Sequence, residues 1–225
     1  MAKQNSIDNA TQDLTITPAT GDSTIQFSIN GTTEFIIGVD DDADDSFKIA
    51  NGSALGTNDY LVMSPDGIMT LPLQSAFLNS INAEANVTGN STAHYIGSVT
   101  ATTSIVDRNG DMTEGDGAGT GATFTAPVTG LYQFNFTLVY DIGATGSPTC
   151  QIYVESTSDL YKGHSLPTDN QVTNFSNASG YICMNETMFM SLTAADTVRF
   201  RFQGETGSAA VDDVISGYIS GCLIE

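Results

Sequence analysis

The stretch GATFTAPVTGLYQFNFTLVY, residues 121–140, decides the fold. After a turn over Pro127 to Gly130, the residues Tyr132, Phe134, Phe136, Leu138 and Tyr140 fall on one side of an extended chain. Gln133, Asn135 and Thr137 fall on the other, with Leu131 and Val139 as apolar exceptions. A period of two is the signature of a β-strand with one face in a core. The aromatic face is a candidate for a sandwich core or for an axis between copies, and the core is preferred.

Working outward, strand signals recur from about residue 95 at the 8–12-residue spacing of sandwiches and barrels. They are YIGSV, ATFTA, LYQFNFTLVY, CQIYV, YICMN, TMFMSL, TVRFRF and ISGYISGCLIE. Such a set of antiparallel strands with polar loops suits a two-sheet jelly roll. Upstream, to about Pro72, five short runs (IQFSI, EFIIGV, SFKIA, YLVM, GIMTL) are cut by turns such as NGTT, DDDADD and SPDG. One small sheet buries little, so this segment is expected to borrow a core from identical neighbours. Residues 73–85 read equally as a short helix or an extended segment.

The chain carries 26 acidic against 6 basic residues, a formal net charge of −20. Nucleic acid is excluded as a partner, because phosphate binding needs clustered Lys and Arg. An anionic membrane surface is disfavoured for the same reason. No run approaches the ~18–20 apolar residues of a membrane span, and the N-terminal stretch has no apolar leader-like core. Cys150, Cys183 and Cys222 are odd in number and widely spaced, so they read as small hydrophobes in strands, with no disulfide framework.

Two acidic stretches are the metal candidates. DDDADD places Asp40, Asp41, Asp42, Asp44 and Asp45 together; such a run is a solvated turn or a weak calcium site. DRNGDMTEGDG puts Asp107, Asn109 and Asp111 at alternate positions, as a calcium loop would. It fails as an EF-hand, because Met112 stands where Gly is needed and Ala118 where Glu is needed. The glycine run GDGAGTG leads into a strand, with no Lys-Ser/Thr after it, and reads as a loop. His94 and His164 have no nucleophile elbow or zinc-ligand spacing around them. Two carboxylates could serve a glycosidase, but the chain has no Trp for a sugar platform. The expectation is no enzyme, no catalytic residue and no cofactor beyond calcium.

GATFTAPVTGLYQF resembles the signature of the gC1q domain, the trimeric globular head of the complement and tumour-necrosis-factor superfamily. Other landmarks follow in order: NVTGNSTAHY (86–95), VDRNGD (106–111), MSLTAADTVRFRF (190–202) and ISGCLIE (219–225). Two positions depart from the pattern: Cys222 replaces a Phe, and Ala195 replaces the usual Gly before Asp196. FIIGVDDDADDSFKIANGSALGTNDYLVMSPDGIMTLP is similar to a module of phage tail-fibre and related virion proteins.

These resemblances imply an all-β homotrimer. Residues 1–72 would be a β-rich attachment or stem module, 73–94 a connector and lead-in strand, and 95–225 a gC1q-like jelly-roll head. The implied function is a non-enzymatic virion protein, a tail fibre whose head binds a host-surface glycan or protein. The alternatives are a capsid head fibre or decoration protein and, third, a bacterial surface adhesin. Partners would be the chain itself and other virion proteins through the N-terminal module, with the protein on the tail or capsid exterior. Receptor contacts are expected in loops 107–121, 141–148 and 155–180, with Tyr161, Asn174 and Phe175 as candidates.

Overall fold

A computed structural model describes residues 4–8, 13–17, 21–42, 45–141, 149–157, 160–167, 181–205, 210 and 212–225. The chain forms two compact units, Met1–Gln74 and Ser75–Glu225.

In the first unit, β1 (Gln4–Asp8) and β2 (Asp13–Thr17) form a hairpin. Next come β3 (Ser23–Ile29), β4 (Thr32–Asp40), β5 (Ser46–Asn51), β6 (Asp59–Met63) and β7 (Met69–Thr70), one antiparallel meander in chain order. Four of the five runs read from the sequence are strands, and the fifth, GIMTL, is strand only at Met69–Thr70. Register places Ile25, Ile37, Ile49 and Leu61 in one row across the sheet. Beside it lie a row of Val39, Phe47, Met63 and Met69 and a row of Phe27 and Phe35. The opposite face supplies the buried apolar residues of the unit, Ile36 and Ala50, which pack with Leu55.

The second unit, the head, contains β8 (Ala76–Ile81), β9 (Glu84–Thr88), β10 (His94–Tyr95), β11 (Thr103–Asp107), β12 (Met112–Thr113) and β13 (Thr123–Thr125). They are followed by β14 (Gly130–Asp141), β15 (Thr149–Ser156), β16 (Leu160–Pro167), β17 (Tyr181–Leu192), β18 (Thr197–Glu205) and β19 (Asp212–Leu223). One sheet runs β11-β8-β19-β14-β17 with β9 beside β19; the other runs β12-β13-β18-β15-β16 with β10 beside β18. The chain passes from β14 to β15 and β16 in the second sheet, back to β17, across to β18 and back again to β19. Every pairing is antiparallel, and this crossing pattern is a jelly roll.

The strand that opened the reading sits between β17 and β19 and behaves as its pattern requires. Tyr132, Phe134, Phe136, Leu138 and Tyr140 have no exposed surface. Their rings meet those of the opposing sheet: Phe124 lies 5.3 Å from Phe134, Phe136 lies 5.6 Å from Phe200, and Tyr140 lies 4.9 Å from Phe202. Burying one such ring stabilises by about 3 kcal/mol. The Tyr132 hydroxyl donates to the Val128 carbonyl at 2.7 Å, so the one polar tip near the turn is satisfied. Gly221 lets the rings in: a Cβ there would sit 2.6 Å from a Phe77 ring carbon and 2.7 Å from one of Phe134.

Four details differ from the sequence reading. YIGSV is strand only at its first residue, because Gly97 adopts φ +87° and turns the chain. YICMN and TMFMSL are one strand, β17, with Glu186 at an inward, half-buried position that broke the apolar pattern. Residues 73–85 contain no helix; β8 and the start of β9 occupy them and pair with β19. Of the cysteines, only Cys150 is buried; Cys222 is half-buried and Cys183 exposed.

Candidate functional site

The outer face of the β11-β8-β19-β14-β17 sheet is built by the residues that alternate with the core. Ladder register aligns Phe189, Gln133, Cys222 and Ala76 in one row. The next row is Thr187, Asn135, Ser220, Leu78 and Val106, and the third is Asn185, Thr137, Tyr218, Ser80 and Thr103. Cys183, Val139 and Ser216 follow, and Tyr181, Asp141 and Asp213 end the series. Up to that last row the side chains are uncharged, although the chain carries −20; Asp141 and Asp213 place two carboxylates at one end of the face.

Their polar groups bond to one another along the sheet. Asn185 donates from Nδ2 to Thr137 Oγ1 at 2.8 Å, Thr187 Oγ1 donates to Asn135 Oδ1 at 2.7 Å, and Asn135 Nδ2 donates to Ser220 Oγ at 3.3 Å. Two aromatic rings stand on this flat polar stripe, Phe189 with 58% and Tyr218 with 54% of its surface exposed. Solvated sheet faces ordinarily carry charge, whereas the cores of protein interfaces lose charge and gain aromatics.

The outer face of the other sheet is chemically different. Arg199 lies over the Tyr95 ring at 4.2 Å and Arg201 over the Tyr153 ring at 4.3 Å. Glu155 links them, 3.1 Å from Arg199 Nη2 and 3.9 Å from Arg201 Nη1, and accepts from the Tyr95 hydroxyl at 3.0 Å. Two of the six basic residues of the chain are thus fixed on aromatic rings side by side. The sequence did carry this signal, as alternate Arg in TVRFRF, but pairing with Tyr95 and Tyr153 depends on the register of three strands.

The acidic candidates are largely occupied by their own chain. Asp107 accepts the amide protons of Asp111 at 3.1 Å and Met112 at 3.3 Å, closing the turn before β12. Asp111 keeps one buried carboxylate oxygen without a protein hydrogen-bond partner; Asn109 is exposed. Asp116 is similarly occupied by the amides of Ala118 and Thr120, both at 2.8 Å, which hold its carboxyl below the ordinary value.

In the N-terminal unit, Asp40 is buried and paired with Lys48 at 2.7 Å, with Asp59 at 3.3 Å from the same ammonium. Burial lowers the Lys48 pKa, but the two carboxylates outweigh it and leave the ammonium above its ordinary value. Asp41, Asp42 and Asp45 are exposed around the following turn, and Asp44 lies outside the described residues. Among the described residues, no three His, Cys, Asp or Glu side chains converge as a metal site.

His94 is buried against Glu84, whose other oxygen accepts the amide protons of Gly97 and Thr100, each at 3.2 Å. That arrangement ties β9 to the turn after β10. His164 and Tyr161 lie on β16, so part of the expected 155–180 loop is strand. Asn174 and Phe175 lie outside the described residues, as do residues 142–148.

No protein family matches the sequence, and no curated protein does. Among solved structures, the chain is similar to the globular domain of zebrafish complement 1qA protein at 19% identity and TM-score 0.46, covering 68% of this chain and 98% of that one. It is similar to the PRD1 vertex protein P5 at 11% identity and TM-score 0.43, covering 67% and 99%. It is also similar to murine APRIL at 9% identity and TM-score 0.42, covering 67% and 99%. The head is a jelly roll by its own strand order. The likeness is one of fold alone, and the strand order of the head itself carries it.

Proposed function

We propose that the chain is a non-enzymatic structural protein of a virus particle and works as a homotrimer. Its head would be the receptor-binding tip of a tail fibre, and its N-terminal unit would join the head to other virion proteins. The observation that carries self-association is the uncharged stretch of the outer face of the β11-β8-β19-β14-β17 sheet, from the Gln133 row to the Val139 row, with the Asp141 and Asp213 carboxylates at its end. Copies of a chain with a charge of −20 repel one another unless they meet where no charge is buried. That face offers a hydrogen-bonded polar stripe flanked by Phe189 and Tyr218.

The outer face with Arg199, Arg201, Tyr95 and Tyr153 stays free in such an assembly and is polar, aromatic and pre-ordered, which suits a host-surface glycan or protein. Placement in a virion rests on the resemblance of the N-terminal segment to tail-fibre modules. No cofactor is assigned; a calcium ion near Asp107, Asn109 and Asp111 is the one addition the loops invite.

Gold-labelled antibody on intact particles, together with adsorption of the purified chain to host cells, tests this reading. Label at tail tips and adsorption that competes with infection is the expected result. Label on the shell with no adsorption replaces the fibre reading by that of a capsid decoration protein. Label on neither rejects a virion role.

A further inference from the structure

The N-terminal sheet has an apolar face that its own described residues leave open. Phe27, Phe35, Val39, Met63 and Met69 are all exposed on it, Phe27 at 55% and Met69 at 65%. They share that face with the row that starts at Ile25, and register brings them together over five strands. The opposite face carries the Asp40–Lys48–Asp59 cluster. The acids of the DDDADD turn lie at the end of β4 and beyond, so the open face carries no charge.

We infer that this face is buried against the same face of other copies of the chain, so that residues 23–70 form a shared hydrophobic core. Three observations select a second copy as the occupant. First, the exposed parts of these side chains add up to several hundred Å², on the order of the ~800 Å² per partner of a stable interface, since each aromatic alone has ~150–250 Å² to bury. Second, the unit's own core of Ile36, Ala50 and Leu55 is too small to hold a sheet of this size. Third, the two units are one continuous chain, joined at Gln74 and Ser75. When heads associate, their N-terminal sheets are held at an effective concentration in the millimolar range, which favours self-pairing over any free partner. The inference rests on the self-association proposed for the head, but it concerns a different surface.

The test uses the full chain carrying Met63→Cys, a short thiol-to-thiol cross-linker and peptide mass spectrometry, with native mass measured in parallel. A link from position 63 to position 63 can form only between copies. The expected result is an oligomeric mass with 63-to-63 links as the main product. An oligomeric mass with position 63 modified but unlinked leaves the head interface standing and overturns this inference. Position 63 unlinked and as well shielded in the chain dissociated by dilution as in the oligomer also overturns it, because the chain then covers the face with its own residues. A monomeric mass removes the head interface and this inference together.

Should the Met63→Cys chain not fold, peroxide oxidation of Met63 and Met69 in the unaltered chain supplies a second readout. The inference expects at least a tenfold slower oxidation in the oligomer than in the folded chain dissociated by dilution. Equal rates in an oligomer of unchanged mass would overturn it.

Discussion

The two units are written in the same alphabet of short alternating strands, yet they solve burial differently. The head folds its strands into two sheets, and the aromatic faces of β14 and β18 close on each other without help. The N-terminal unit has a two-stranded hairpin and a single five-stranded sheet, whose face with Phe27, Phe35 and Met69 stays apolar and exposed. Alternation alone therefore guarantees a strand with two different faces, not a finished core. Count of sheets decides whether the chain is self-sufficient.

Large effects should separate the units. Phe134→Ala removes a ring packed against Phe77, Phe124 and Phe200 and should cost the head about 3–5 kcal/mol. Unfolding followed by head-specific hydrogen exchange should show the loss there, with protection of β3 to β6 unchanged. Equal loss in both units would erase the distinction between them.

Lys48→Met is the matching change in the N-terminal unit. It strands Asp40 and Asp59 beside an apolar side chain, at a cost of about 3 kcal/mol or more. Exchange in β4 and β5 should rise while the head stays protected. The same pair sets an alkaline limit. Because the folded Lys48 pKa is raised, its contribution is fully present below the ordinary 10.5 and is lost as pH climbs through the raised value. A pH titration should therefore melt β4 to β6 at the alkaline end, before or independently of the head.

A smaller effect sharpens the head's side of the comparison. Ala195 holds φ +73°, a left-handed conformation that costs an L-residue about 1 kcal/mol. It is kept there by its amide donating to Ala126 at 2.8 Å and by Asp196 accepting from Thr193 at 2.8 Å. Ala195→Gly should raise head stability by about that much in denaturant unfolding. No gain would mean that the turn is not strained.

The smallest effect concerns one loop. The lowered Asp116 pKa makes its hold on Ala118 and Thr120 present above 3.8 and lost as pH falls through the lowered value. Amide exchange at residues 118–120 should quicken in acid ahead of the strands around it.

Much of this was legible in the sequence, and the misses have physical causes. The period of two in 131–140 named the five core residues of β14 one by one, because nothing but a half-buried strand produces that pattern. The same strand's other half, Gln133, Asn135 and Thr137, was read only as the side opposite the aromatic face. Its meaning as an uncharged patch needs Phe189 and Tyr218 brought alongside, from sequence positions more than fifty residues away. Arg199 and Arg201 stayed unread for the same reason. The acidic runs drew attention because charges are conspicuous in a sequence, whereas the capping of Asp107 and the Lys48 partner of Asp40 are visible only in three dimensions. Ala195 was noticed as a departure from a glycine position, and its positive φ is the conformation a glycine there would serve.

The central claim is that copies of this chain meet on the outer face of the β11-β8-β19-β14-β17 sheet. Native mass by light scattering, on the unaltered chain and on Thr137→Asp/Tyr218→Asp, tests it most directly. These two residues are ladder partners at the middle of that face. The expected result is three times 23.6 kDa for the unaltered chain. The variant should fall to lower mass with unchanged strand content by circular dichroism. A monomeric unaltered chain, or a folded variant that keeps the full mass, would contradict the claim.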